Sequence, residues 1–161
     1  MSKPNAKLSN LTDGFRSAML VTHDQDGSLR ARPMALAEVE DPKVLWFATL
    51  QTSGKVDELR DDSRVAVTLQ GSKRQVSLTG RAEVVIDADK IDAMWKDSWQ
   101  VWFPEGRDSA IALVKVSVEC GEEWDATLED AAEFLYEAGR QLLTGENRDA
   151  GSPREHRTVS F

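Results

Sequence analysis

"LWFATLQTSGKVDELRDDSRVAVT", residues 45–68, changes its hydrophobic period twice. An apolar run breaks at small polar residues, a helical stretch follows over 53–62, and "RVAVTLQ" (64–70) then alternates with Val65, Val67 and Leu69 on one face. Strand, helix and strand follow in that order. Where a strand runs into a helix, free backbone N–H groups and the helix dipole favour an anion. The residues at this junction suit such a role. Thr49 can donate from the strand end, and Ser53 can cap the helix or donate to an oxygen. Gly54 lets a ligand approach the backbone closely, and Lys55 adds a point charge on the first turn. Read alone, the same residues are more simply a capped helix with a surface lysine.

Working outward, "VLWFATL" (44–50) reads as the third of a series of strands. Before it come "RSAMLVTH" (16–23) and "LRARPMALAEV" (29–39). "DQDGS" (24–28) joins them as a tight hairpin, because Asp-Gly supports positive φ. Pro33 lacks a ladder donor and marks an edge or a bulge. "EDPK" (40–43) turns the chain, and residues 3–14 suggest a short helix. On the other side, "QVSLTGRAEVVI" (75–86) alternates, with Gly80 suggesting a bend as at a barrel corner. Residues 87–103 read as one or two helices from an Asp cap, and 111–125 as a last long strand. Residues 127–143 are amphipathic, and a polar tail covers 146–161, where "RTVSF" suits an edge strand. Hairpin-linked strands with few, scattered helices predict a mainly β fold: one domain over 1–161, a small antiparallel barrel with peripheral helices.

The totals exclude several function classes. Net charge is −8 over 161 residues, which argues against general nucleic-acid binding. No apolar run is long enough to cross a bilayer, and "MSKPNAKLSNLTDGF" lacks a signal-peptide core, so the cytoplasm is the expected location. Cys120 is the single cysteine, which rules out an internal disulfide and a cysteine-rich metal site. His23 and His156 are the only histidines, and no ligand spacing stands out. His23 reads as a solvated turn residue, and Cys120 as a small strand residue. There is no nucleophile elbow, Walker loop or dinucleotide fingerprint.

An ordered set of segments is then recognisable. "AMLVTHDQDGSLRARPMA" (18–35), the opening stretch at 45–68, "LTGRAEVVID" (78–87), "IDAMW", "VWFPEGRDS" and "VECGEEWD" together resemble the pyridoxamine-phosphate-oxidase-like, FMN-binding split-barrel superfamily, in its general stress protein branch. The resemblance covers about residues 10–125. It implies a six-stranded antiparallel split barrel and a homodimer with FMN at the interface. By the same resemblance, Thr49, Ser53 and Lys55 hold the FMN phosphate. Arg32 starts the flavin-binding strand. Pro33, Met34, Ala35 and Ala48 line the ring, Gln75 contacts it, and Trp102 covers it. Trp95 and Trp124 are expected in core or interface packing. No residue is assigned a catalytic role, and no metal, membrane or nucleic-acid partner is expected.

Three departures separate this chain from the oxidases. Gly54 stands where they usually carry an arginine, Ala37 where they carry a later lysine, and "SPREHRTVSF" lacks their substrate-gripping motif. The expectation is an FMN-binding, flavin-dependent oxidoreductase that is not a pyridoxamine phosphate oxidase. The alternatives are a non-catalytic flavin reserve or sensor, a split barrel carrying deazaflavin or haem, and a barrel without a ligand.

Overall fold

The computed structural model describes residues 7–125, 135–136, 140 and 155–161. Seven strands carry the fold: β1 (Ser17–His23), β2 (Leu29–Glu40), β3 (Val44–Leu50), β4 (Arg64–Gln70), β5 (Arg74–Val85), β6 (Ile111–Asp125) and β7 (Glu155–Ser160). Three α-helices accompany them: α1 (Leu8–Thr12), α2 (Gly54–Asp61) and α3 (Ala88–Met94). Two short 3-10 turns, Asp97–Val101 and Gly106–Asp108, lie between α3 and β6. The expected helical stretch over 87–103 is therefore two pieces. The helix expected over 127–143 lies outside the described residues, apart from 135, 136 and 140.

The sheet order is β3-β2-β1-β4-β5-β6-β7, and β3 also pairs with β6. That last pairing closes β1 to β6 into a six-stranded antiparallel barrel, with β7 added along the free half of β6. Alternation built the barrel. Ala18, Leu20 and Thr22 of β1 and Val65, Val67 and Leu69 of β4 face inward with Val76, Leu78 and Ala82 of β5. Val114, Val116 and Val118 of β6 join them. The long strands β5 and β6 must bend to close such a barrel, and their register shifts between Thr79 and Gly80. A Cβ on Gly80 would lie 2.1 Å from the Ser117 carbonyl oxygen, so only glycine fits the bend.

A second apolar cluster lies outside the barrel. Ile91 and Met94 of α3, with Trp99 and Phe103, pack on Trp46 of β3 and on Ile111 and Leu113 of β6. Trp95 meets Trp99 edge-on at 5.8 Å, and Trp99 meets Phe103 at 6.1 Å. Lys96 Nζ donates to the Ala37 carbonyl at 2.7 Å and ties this aromatic segment to β2.

Pro33 carries a topological meaning. Residues 29–35 of β2 pair with β1 alone, because β3 joins β2 only from Leu36 onward. Ala48, Thr49 and Leu50 of β3 pair with β6 alone. The two strands therefore diverge, and Pro33 stands on the unpaired edge.

Candidate functional site

The parting of β2 and β3 opens a cleft of about 570 Å³. One lip is Pro33, Met34 and Ala35, with Ser17 beside them on β1. The other is Ala48, Thr49 and Leu50, continued by Thr52, Ser53 and Lys55 at the start of α2. Trp99, Trp102 and Phe103 form the remaining wall. Most of the lining is apolar, and its polar groups gather at one end.

At that end the Lys55 ammonium donates to Thr49 Oγ1 at 2.9 Å and to Ser53 Oγ at 2.7 Å. Ser53 occupies the N-cap position of α2, but its side chain makes no capping bond and accepts from Lys55 instead. No carboxylate of the described residues lies within ion-pair distance of Lys55. Burial lowers the lysine below its ordinary value, the Arg32 charge lowers it further, and Glu58 opposes both. A half-buried cation with hydroxyl partners only is a site suited to an anion.

Eight of the ten residues expected at the site line this one cleft: Pro33, Met34, Ala35, Ala48, Thr49, Ser53, Lys55 and Trp102. Arg32 and Gln75 are not among its lining. Arg32 donates from Nη1 to Thr22 Oγ1 at 2.8 Å and from Nη2 to Glu58 Oε1 at 2.6 Å. Gln75 lies on β5, opposite Gln70 and Trp124. The sequence reading missed Ser17, Leu50, Thr52, Trp99 and Phe103. Thr52 and Leu50 sit inside the junction already singled out, and "WQVWF" places Trp99, Trp102 and Phe103 three and four residues apart, which is the spacing of one helical face. Trp102 is 67% exposed, whereas Trp99 is 4% exposed.

His23 differs from its expected role. It ends β1 with its Nδ1 buried, 3.6 Å from Asp62, rather than standing in solvent. Among the described residues, no three metal-binding side chains converge and no helix is long and apolar enough to cross a membrane.

The sequence model of the family described as pyridoxamine 5'-phosphate oxidase like matches residues 3–149. The chain belongs to this family. Membership in the pyridoxamine 5'-phosphate oxidase-like family agrees with the closed barrel and its split edge. Solved structures share the fold. A protein related to general stress protein 26 from Clostridium acetobutylicum superposes with a TM-score of 0.66 at 18% identity, over 73% of this chain and 84% of that one. A protein assigned as general stress protein 26 from Jannaschia sp. CCS1 is 26% identical, with a TM-score of 0.61 over 94% of both chains. The general stress FMN/FAD binding protein of Xanthomonas citri is 22% identical, with a TM-score of 0.61 over 73% of this chain and 84% of that one. No curated protein matches the chain.

Proposed function

We propose that this chain binds FMN in the cleft between β2 and β3, as a homodimer, and serves as a flavin-dependent oxidoreductase of the general stress type. The observation that carries the reading is the Lys55 ammonium. It is half-buried at the start of α2, bonded to two hydroxyls, and opens onto a slot of apolar and aromatic residues. An FMN phosphate carries about two negative charges at neutral pH. A flat ring wants an apolar slot with few polar anchors, and the cleft volume lies in the usual range of about 300–1,000 Å³ for such sites.

In this reading Thr49, Ser53 and Lys55 hold the phosphate. Pro33, Met34, Ala35 and Ala48 flank the ring, and Trp102 covers it. The flavin, when bound, supplies the redox chemistry. The protein binds, orients and excludes water. No carboxylate or imidazole lines the cleft, so the described residues offer no general base there. A substrate that needs a proton removed by a carboxylate or imidazole is a poor fit. A hydride or electron donor that reacts with the ring directly is a better one.

The homodimer is supported by exposed apolar side chains around the same cleft. Leu50, Val101 and Trp102 are all solvent-exposed in the single chain. A second copy laid over them would enclose the ring. Absorption spectra with and without added FMN test the cofactor. Shifted flavin bands and quenched flavin fluorescence are expected, and spectra that merely sum those of protein and free FMN would refute binding. Light scattering behind gel filtration tests the dimer, which a monomer mass refutes.

A further inference from the structure

A buried carboxylate lies directly beneath the anion end of the cleft. Glu58 is 5% exposed, although carboxylates are seldom buried without partners. Its Oε1 takes the Arg32 Nη2 bond, and its Oε2 accepts from the Thr22 hydroxyl at 2.6 Å. Thr22 is fully buried and in turn accepts from Arg32 Nη1. Glu58 is also close to the helix start, since a Cβ placed on Gly54 would lie 3.9 Å from its Oε1. Arg32, Lys55 and Glu58 thus share one small region, with Lys55 alone lining the cleft. Both the Arg32 and the Glu58 charge are felt at Lys55, in opposite directions.

We infer that Glu58 is a counter-charge for the phosphate site: it holds and neutralises Arg32, so that the site presents one net positive charge, Lys55, to the ligand. The inference rests on the FMN reading above and goes further, because it makes the affinity for the phosphate a quantity that Glu58 sets. Arg32 acts on the ligand through its field and through Glu58, without contact. It is a positioning partner rather than a ligand-binding residue. With Gly54 in place of a second cation, the phosphate is held by little charge, and the flavin exchanges readily.

The test compares FMN with riboflavin, which has the same ring and no phosphate. Affinities are measured by fluorescence titration for the wild type, Glu58→Gln, Arg32→Gln and the double variant. A glutamine at 58 keeps an acceptor for Arg32 and, through its amide, a donor for Thr22. Coulomb interaction of a dianion with one uncompensated charge at this range predicts a change of about fivefold. The FMN-to-riboflavin affinity ratio is expected to rise about fivefold in Glu58→Gln and to fall about fivefold in Arg32→Gln. The double variant should lie between them. An unchanged or lowered ratio in Glu58→Gln overturns the inference. So does a double variant no better than Arg32→Gln, which would mean that Arg32 grips the phosphate itself. Should Glu58→Gln alone fail to fold by circular dichroism, the double variant against Arg32→Gln decides. A wild type that binds FMN no better than riboflavin fails the phosphate reading itself and takes the inference with it. A normal wild-type preference with an unchanged Glu58→Gln ratio fails the inference alone.

Discussion

The Lys55 ammonium donates to the Thr49 hydroxyl at 2.9 Å, joining the first turn of α2 to the end of β3. This bond crosses the strand–helix junction and fixes where a cation stands at the base of the cleft. Removing it as Lys55→Ala leaves Thr49 and Ser53 in place without the charge. A hydrogen bond to a charged group is worth about 1.5–3 kcal/mol, so FMN affinity should fall by about ten- to a hundredfold. Riboflavin affinity should change little. Fluorescence quenching titrations of both flavins check this, and equal losses for the two would show that the lysine does not serve the phosphate.

The same lysine sets a pH dependence. Burial holds it below its ordinary value of 10.5, and Arg32 adds to that lowering. Only the protonated form attracts an anion, so FMN affinity should decline on the alkaline side before pH 10.5 is reached. On the acid side the phosphate takes its second proton near about pH 6 and binding weakens again. FMN titrations at a series of pH values should give a profile that falls at both ends. Riboflavin should show neither limb.

Two glycines should respond in opposite ways. Gly80→Ala places a Cβ 2.1 Å from the Ser117 backbone oxygen at the bend of the barrel. The strands must shift, at a cost of about 2–4 kcal/mol or loss of folding. Gly54 has only the Glu58 carboxylate at 3.9 Å and no positive φ. Gly54→Ala should stabilise by about 0.5 kcal/mol, because it reduces the freedom of the unfolded chain. Gly54→Arg should tighten FMN binding by adding the cation that the oxidases carry there. Urea unfolding and FMN titration separate the two effects.

The tryptophans of the cleft wall divide between fold and ligand. Trp99 is buried against Trp95 and Phe103, so Trp99→Ala should cost about 3–5 kcal/mol of stability. Trp102 is 67% exposed, so Trp102→Ala should shift stability by no more than about 0.5 kcal/mol while weakening flavin binding. Thermal melts with and without FMN distinguish them. A large loss of stability in apo Trp102→Ala would place that ring in the core instead.

Glu58 should also shape acid stability. Burial pushes its carboxyl upward, but the hydrogen bonds from Arg32 and Thr22 and the nearby arginine charges more than offset this and hold it below 4.5. A carboxylate lowered in the fold contributes stability above its unfolded value and loses it as pH falls through the folded one. The urea midpoint should therefore drop as pH falls below about 4.5. Glu58→Gln should lose less over the same interval. Thr22→Val, which strands one carboxylate oxygen, should cost about 1–3 kcal/mol at neutral pH.

Much of the local structure was legible because it depends on neighbours a few residues apart. Alternation and turn residues placed β3, β4 and β6 at 44–50, 64–70 and 111–125, which are their observed limits. "RTVSF" was read as an edge strand, and the observed strand β7 extends it back to Glu155. Thr49, Ser53 and Lys55 were found together because they lie within seven residues of one another. Gly80 was read as a bend, and a register shift occurs there.

Other features depended on pairings that no local pattern encodes. The barrel closes when Val44 to Leu50 pairs with Ile111 to Ser117, more than sixty residues along the chain. That closure leaves the Pro33 edge of β2 unpaired and so makes the cleft. Trp99 and Phe103 reach the cleft because their cluster packs outside β3 and β6. Arg32 stood beside Pro33 in sequence, but Glu58, twenty-six residues away, holds it off the lining. The sequence by itself determined the strands, their turns and a lysine-bearing junction, since backbone preference and side-chain period act over one or two turns of chain. Only the tertiary structure decided which charges face the cleft and which cancel beneath it, because ion pairing and register are settled by packing between distant segments.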